Sequence, residues 1–299
     1  MRHSSSSSRL AMLLLAGTTS ALTLAMPTTQ ANDDDPMAVP LPIPRAAPCS
    51  QRYDLAADPE PPVIDDGKAA IRQAFETDDD WGTAQNVEVL AAGDTGLGEA
   101  GLRIAYPEGT SAPSDQDTGG AGFYATIPEL EKAERACLRY KVRFPQGFEF
   151  VKGGKLPGLY GGDAPSGGDE VTGDGYSMRF MWRRHGQGEL YEYIVNKGAD
   201  NDYGKSAGRG LWHFPTGQWV TVEQEIVLND PAHANGIARV WIDGKPILEQ
   251  HGIVYRKQAS VYADGLMFST FFGGHGEDWR TPKDQHADFA DFRFYTSQG

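Results

Sequence analysis

The sequence predicts an all-β protein: a jelly-roll sandwich of two antiparallel sheets with few short helices. Three observations carry that expectation. Short runs alternate apolar and polar side chains, the period of a half-buried strand. Gly, Asn and Asp separate these runs as turn signals. Helical periodicity is confined to two short stretches, AAIRQAFETDDDW (residues 69–81) and IPELEKAERACL (residues 127–138). Strands at this spacing with so little helix favour two packed sheets.

Taken in order, residues 1–31 read as a secretory signal peptide. Arg2, His3 and Arg9 flank the start of the apolar run LAMLLLAGTTSALTLA, and TQA (residues 29–31) offers a cleavage site. The run is too short and too broken for a membrane anchor. A soluble protein is therefore expected outside the cytoplasm, extracellular or periplasmic. Residues 32–62 are rich in Pro, Ala and Asp and read as a linker or extended arm. Residues 63–299 then form one domain, expected to be monomeric. Within it, ACLRYKVRF sets Leu138, Tyr140, Val142 and Phe144 against Cys137, Arg139, Lys141 and Arg143. WVTVEQEIVL sets Val220, Val222, Gln224, Ile226 and Leu228 against Thr221, Glu223 and Glu225, so the two glutamates read as a solvated face. IARVWIDGKPIL is a hairpin whose Asp243-Gly244 pair suits a type I′ turn. GLMFSTFFGG and ADFADFRFYT supply two more aromatic strands. The two cysteines, Cys49 and Cys137, are expected to form a disulfide pinning the arm to the domain.

Lys and Arg number 27 against 41 Asp and Glu, a formal net charge of −14. That balance argues against nucleic acid, and no stretch beyond the leader is apolar enough for a membrane. An acidic substrate is still admitted, because a polyanion reads the local potential of a cleft. From Arg139 to His213 the count is 11 basic against 9 acidic residues, so the sign reverses there. Neither DDD run (residues 33–35 and 78–80) has the spacing of a calcium loop, and no Cys/His spacing suits zinc. No metal and no cofactor is expected.

Two stretches carry candidate chemistry. KGGKLPGLYGG (residues 152–162) frames Lys155 with five glycines and a proline. GYSMRFMWRRHGQGELYEYIVNKG (residues 175–198) holds two alternating runs around an HGQG turn. Residues two apart on a strand share a face. If odd positions pair with odd, Ser177, Arg179, Tyr191 and Tyr193 project from one side; a one-residue slip would separate them. Such a set lacks the carboxylate pair of a glycoside hydrolase. It suits β-elimination on a uronic acid instead. An arginine fork holds the carboxylate, a fixed lysine adds charge or moves a proton, and tyrosines serve as base and acid. Cations beside a phenol are expected to lower its pKa. Each residue also has a plain reading, since strand arginines are commonly solvated and alternating tyrosines commonly pack. Lys152, Arg183, Arg184, Lys197 and Arg209, with His213 and His275, are weaker candidates for lengthening a basic cleft.

KGGKLPGLYGG, YSMRFMWR, LYEYIVN and FSTFFGGHGEDW together resemble the polysaccharide lyase family 14 domain, over roughly residues 69–296. The resemblance implies a β-jelly-roll and a lyase acting on alginate or glucuronan. It further implies a cleft lined by the glycine-framed lysine, a Ser-x-Arg and a Tyr-x-Tyr. Here these are Lys155, Ser177 with Arg179, and Tyr191 with Tyr193. Lys155, Tyr191 and Tyr193 are then the catalytic candidates, with Ser177 and Arg179 binding substrate. The alternative is a non-catalytic carbohydrate-binding jelly-roll using the same aromatics as a platform.

Overall fold

A computed structural model describes residues 42–77, 79–113, 119–198, 202–274 and 276–297. The leader, the start of the arm with its 33–35 acidic run, Asp78 and His275 lie outside the described residues.

Among the described residues fifteen strands follow one another: β1 (Asp54–Ala57), β2 (Asp80–Trp81), β3 (Val87–Leu90), β4 (Gly101–Tyr106), β5 (Ala121–Thr126), β6 (Arg135–Arg143), β7 (Gly153–Gly162), β8 (Gly175–Arg183), β9 (Gly188–Tyr193), β10 (Lys205–Ala207), β11 (Trp219–Val227), β12 (Gly236–Ile242), β13 (Lys245–Ile253), β14 (Gly265–Phe272) and β15 (Gln285–Thr296). One sheet has the order β13-β12-β11-β6-β15-β4-β3, with β1 pairing onto β15. The other has the order β10-β9-β8-β7-β14-β5-β2. Neighbouring strands run antiparallel in both. This is the jelly-roll sandwich that the alternation predicts.

The alternation also assigns the faces. Leu138, Tyr140 and Val142 of β6 and Val220, Val222 and Ile226 of β11 pack against Leu156 and Leu159 of β7 and Met178, Phe180 and Trp182 of β8. Removing such side chains from water is the main favourable term in folding. The Asp243-Gly244 turn has positive φ at both residues, 50° and 72°, as a type I′ turn requires.

Three expectations are corrected by tertiary packing. The stretch 127–138 is not a helix: it makes one 3-10 turn, Pro128–Leu130, and Arg135 then opens β6. Strand β6 lies between β11 and β15 and pairs along its whole length with β11, which outweighs local propensity. The stretch 69–81 is helical only in part. Helix α1 (Gly67–Phe75) starts at the Asp66 cap and stops where Glu76 turns left-handed, before β2. Most consequentially, Glu223 and Glu225 are buried rather than solvated. The Cys49–Cys137 disulfide ties residues 49–57 across the outer face of β6 and β11. Ser50 donates to Glu223 through its backbone N–H and hydroxyl, while Arg52, Tyr53 and Arg239 bind Glu225. The described part of residues 32–62 is thus a docked arm. The local alternation cannot register a cover that comes from about 170 residues away in sequence.

Between the sheets one carboxyl is poorly served. Glu192 of β9 is fully buried, accepts one bond from Gln250 Nε2 at 3.2 Å, and leaves Oε1 without a partner. Burial pushes its pKa up to about 7, with Lys205 and Gln250 pulling only weakly the other way. A group raised in the folded state gives stability that is lost as pH rises through its folded pKa. Glu192→Gln copies the protonated acid. Its stability relative to the parent is expected to grow by on the order of 2 kcal/mol between about pH 5 and about pH 8, measured by urea denaturation at both.

Candidate active site

The outer face of the seven-stranded sheet carries a cleft of about 640 Å³, within the range of ligand sites. Its floor is built by strand register. Arg179 of β8 pairs with Tyr191 of β9, and Ser177 pairs with Tyr193, so odd positions do meet odd. On the other side Lys155 of β7 pairs with Met181 of β8 and Phe271 of β14. Lys155, Arg179, Tyr191 and Tyr193 all line the cleft, joined by Met181, Arg183, Tyr124, Tyr203, Ser269, Trp81 and Trp279.

Ser177 is the exception among the expected residues. It is fully buried, does not line the cleft, and its hydroxyl donates to the Pro165 carbonyl at 2.6 Å. It anchors the loop before β8 rather than facing substrate. Among the weaker candidates, Arg183 lines the cleft, and Lys152 reaches Asp278 and the Trp279 ring. Lys197 lies 5.3 Å from the Tyr193 ring centroid and donates to the Tyr203 carbonyl. Arg209 turns to Glu189, and His213 is exposed beside Gln187.

Arg179 is 3% exposed, and among the described residues no carboxylate pairs with it. Its Nη1 makes one long bond of 3.4 Å to Ser269 Oγ, and Nε has no partner. Lys155 Nζ lies 4.0 Å from the Tyr191 ring centroid and 3.0 Å from Met181 Sδ. Burial, then the nearby Arg179 and Arg183, hold the Lys155 ammonium well below the usual lysine range. Tyr191 moves the opposite way: burial and Tyr193 raise it, and the cations only partly oppose them. The expected cation-driven fall does not occur there, because desolvation of a phenolate outweighs charges that do not touch its oxygen. The two tyrosine rings meet edge-on at 5.7 Å.

Two supports escape the sequence reading. Glu189 continues the Tyr-x-Tyr face by one step but is fully buried. Arg183 binds its Oε1 and Arg209 its Oε2, at 2.7 and 2.6 Å, so its charge is spent inside the protein. Burial would raise Glu189, but the two arginines win and hold it below the usual carboxylate range. Gly204, the residue before β10, gives its backbone N–H to the Tyr191 hydroxyl at 3.1 Å. A Cβ there would stand 2.7 Å from both tyrosine rings. Among the described residues Cys49, Cys137 and Glu223 are the one group close enough to share a metal ion, and the disulfide occupies both sulfurs.

The polysaccharide lyase 14 family model matches residues 95–292. The chain belongs to polysaccharide lyase family 14. No curated protein matches this lyase by sequence. Among solved structures it is similar to a marine family 14 alginate lyase from Aplysia kurodai. The two share 28% identity and a TM-score of 0.71 over 81% of this chain and 99% of that one. It shares its fold with an alginate lyase from a Chlorella virus (19% identity, TM-score 0.64, 81% and 100% covered). An endo-β-1,4-glucuronan lyase from Trichoderma reesei has the same fold (12% identity, TM-score 0.52, 82% and 96% covered).

The Gly204 contacts generate an expectation for this lyase. Gly204→Ala forces its loop off the tyrosine pair, so kcat is expected to fall on the order of 10-fold or more while the melting temperature changes little. Steady-state kinetics with parallel thermal melts check this.

Proposed function

We propose that this polysaccharide lyase cuts a β-1,4-linked polyuronate, mannuronate-rich alginate or glucuronan, by β-elimination. The observation that carries the proposal is Arg179, a buried guanidinium facing the cleft without a carboxylate of its own among the described residues. A uronate carboxylate supplies the missing anion through two parallel hydrogen bonds. Neutralising that carboxylate acidifies the C5 proton.

Lys155, depressed by burial and by neighbouring cations, offers a neutral amine to take the proton. The C5–H electrons form the C4–C5 double bond, the C4–O4 bond breaks, and a tyrosine hydroxyl protonates O4. Tyr191, held in its phenol form by burial, is assigned as that acid. Tyr193 packs against it and lies 5.8 Å beneath the Arg179 guanidinium. In mannuronate and glucuronate C5–H and O4 leave from the same side of the ring. Lys155 and Tyr191 lie together on one floor, which favours those sugars over guluronate. Ser177 is assigned a scaffold role. Export of a monomeric enzyme fits the buried disulfide, which suits an oxidising compartment.

The test is ultraviolet absorbance of the unsaturated product on polymannuronate, polyguluronate and glucuronan in turn. A rise on polymannuronate or glucuronan is expected, falling at least on the order of 100-fold in Lys155→Ala, Arg179→Ala and Tyr191→Phe. A rise on polyguluronate alone would sink the substrate assignment. Gel retardation with no product would favour the binding-module alternative.

The pH profile tests the base separately. Lys155 must be neutral to act, so kcat is expected to rise with pH through its depressed pKa. Arg183→Met removes a cation near Lys155 and frees part of the Glu189 charge, and both changes raise the lysine pKa. The rising limb is expected to move to higher pH. A limb that stays put would exclude Lys155 as the titrating base.

A further inference from the structure

The framed lysine sits beside a break in its own strand. Along β7, Lys155 pairs with Met181 and Leu156 with Phe180, but Gly158 pairs with Arg179, leaving Pro157 as an extra residue. This is a β-bulge, and it reverses the parity of the strand. Lys155 and Tyr160 differ in parity, yet Lys155 pairs with Met181 and Tyr160 with Ser177 on the same face of β8. The ladder to β14 is broken at the same place, between Met267 and Phe271. Proline brings no N–H, and Gly158 is required because a Cβ would stand 2.0 Å from the Met178 carbonyl.

A bulge leaves backbone groups without ladder partners, and buried ones must find others. Here they come from the facing sheet. Gln224 of β11 accepts from the Leu159 N–H at 2.9 Å through Oε1 and donates to the Met178 carbonyl at 2.7 Å through Nε2. Tyr140 of β6 donates its hydroxyl to the Pro157 carbonyl at 3.1 Å. Both side chains are fully buried, surrounded by apolar core residues. Of the three backbone groups they hold, those of Pro157 and Leu159 lie two and four residues from Lys155, and that of Met178 adjoins Arg179.

We infer that Gln224 and Tyr140 form an inter-sheet clamp that fixes the β7 bulge, and so act as positioning residues for Lys155 and Arg179. The inference rests on the proposed roles of those two residues. Gln224 holds both strands of the bulged pair at once, β7 through Leu159 and β8 through Met178. Its amide therefore sets the spacing between the strand that carries Lys155 and the strand that carries Arg179. Glu223 and Glu225, gripped by the disulfide-tethered arm, flank it on the opposite face of β11.

The test compares Gln224→Met, Gln224→Glu and Tyr140→Phe with Ile226→Val, a change on the same buried face of β11 that touches none of these groups. All are assayed well below their melting temperatures. Gln224→Met and Tyr140→Phe are expected to lower kcat by about 10- to 100-fold with KM little changed, since a displacement near 1 Å costs that much. Ile226→Val is expected to lose stability but keep kcat. Gln224→Glu supplies the decisive readout. Protonated, it can accept from Leu159 and donate to Met178; ionised, it cannot donate. Its kcat relative to the parent is therefore expected to recover as pH falls, a dependence absent from Ile226→Val. Wild-type kcat in Gln224→Met, with Lys155→Ala inactive, would overturn the clamp alone. Full activity in Lys155→Ala and Arg179→Ala would overturn the clamp together with the site reading beneath it.

Discussion

A buried positive charge with no negative partner among the described residues is the constraint around which this molecule is arranged. Arg179 lies on an interior strand of a sheet, 3% exposed, among tyrosines, a serine and methionines. An isolated buried ion is costly, and an arginine cannot escape by losing its proton. The fold tolerates it only because the remainder of the sandwich is a large, well-packed core. On the proposed function, a bound carboxylate completes what the folded protein leaves unsatisfied. The nearby acid that would quench the charge, Glu189, is bound on both oxygens by Arg183 and Arg209. The cleft thus stays positive although the chain as a whole carries −14.

The sandwich reaches this state by dividing labour between its sheets. The eight-stranded sheet carries its charges in closed pairs on the outer face: Arg103 and Arg143 on Asp288, Arg139 and Lys141 on Asp291. Its Glu223 and Glu225 are closed under the arm. The seven-stranded sheet closes Glu189 in the same way but leaves Arg179 without a carboxylate among the described residues. Among the polar bridges that cross the core between the two sheets, Gln224 lies at the bulge beside the lysine.

How much of this was legible in the sequence follows from what a period of two can report. Alternation fixes which side chains share a face, so Arg179, Tyr191 and Tyr193 come together once the hairpin register is assumed, and the structure has that register. Ser177 shows the limit: it has the right parity but stands near the start of β8, where the preceding loop claims its hydroxyl. Lys155 was found by its glycines, though the reason differs from a tight turn. Gly154 makes room for the Trp182 ring and Gly158 for the Met178 carbonyl, so the glycines admit close strand neighbours at a bulge. Glu189 reads as a surface residue because its two arginines are six and twenty positions away. Gln224 reads as a polar break in an apolar face, and only the facing sheet explains it. Contacts distant in sequence leave no local period.

Desolvation, finally, does two opposite things with one environment. It disfavours whichever form of a group is charged. For Lys155 that form is the ammonium, so its pKa falls; for Tyr191 it is the phenolate, so its pKa rises. In the proposed reaction the same dry floor favours the neutral amine of Lys155 as base and the neutral phenol of Tyr191 as acid. Neighbouring cations reinforce the first effect and only soften the second. Two groups with close ordinary pKa values are pushed apart until their roles differ. Arg179, which cannot be neutralised, keeps its charge for the carboxylate that the proposed reaction would bring. On that proposal, donor, acceptor and carboxylate receptor are set by burial acting on three different side chains, and the strand register decides only that they meet.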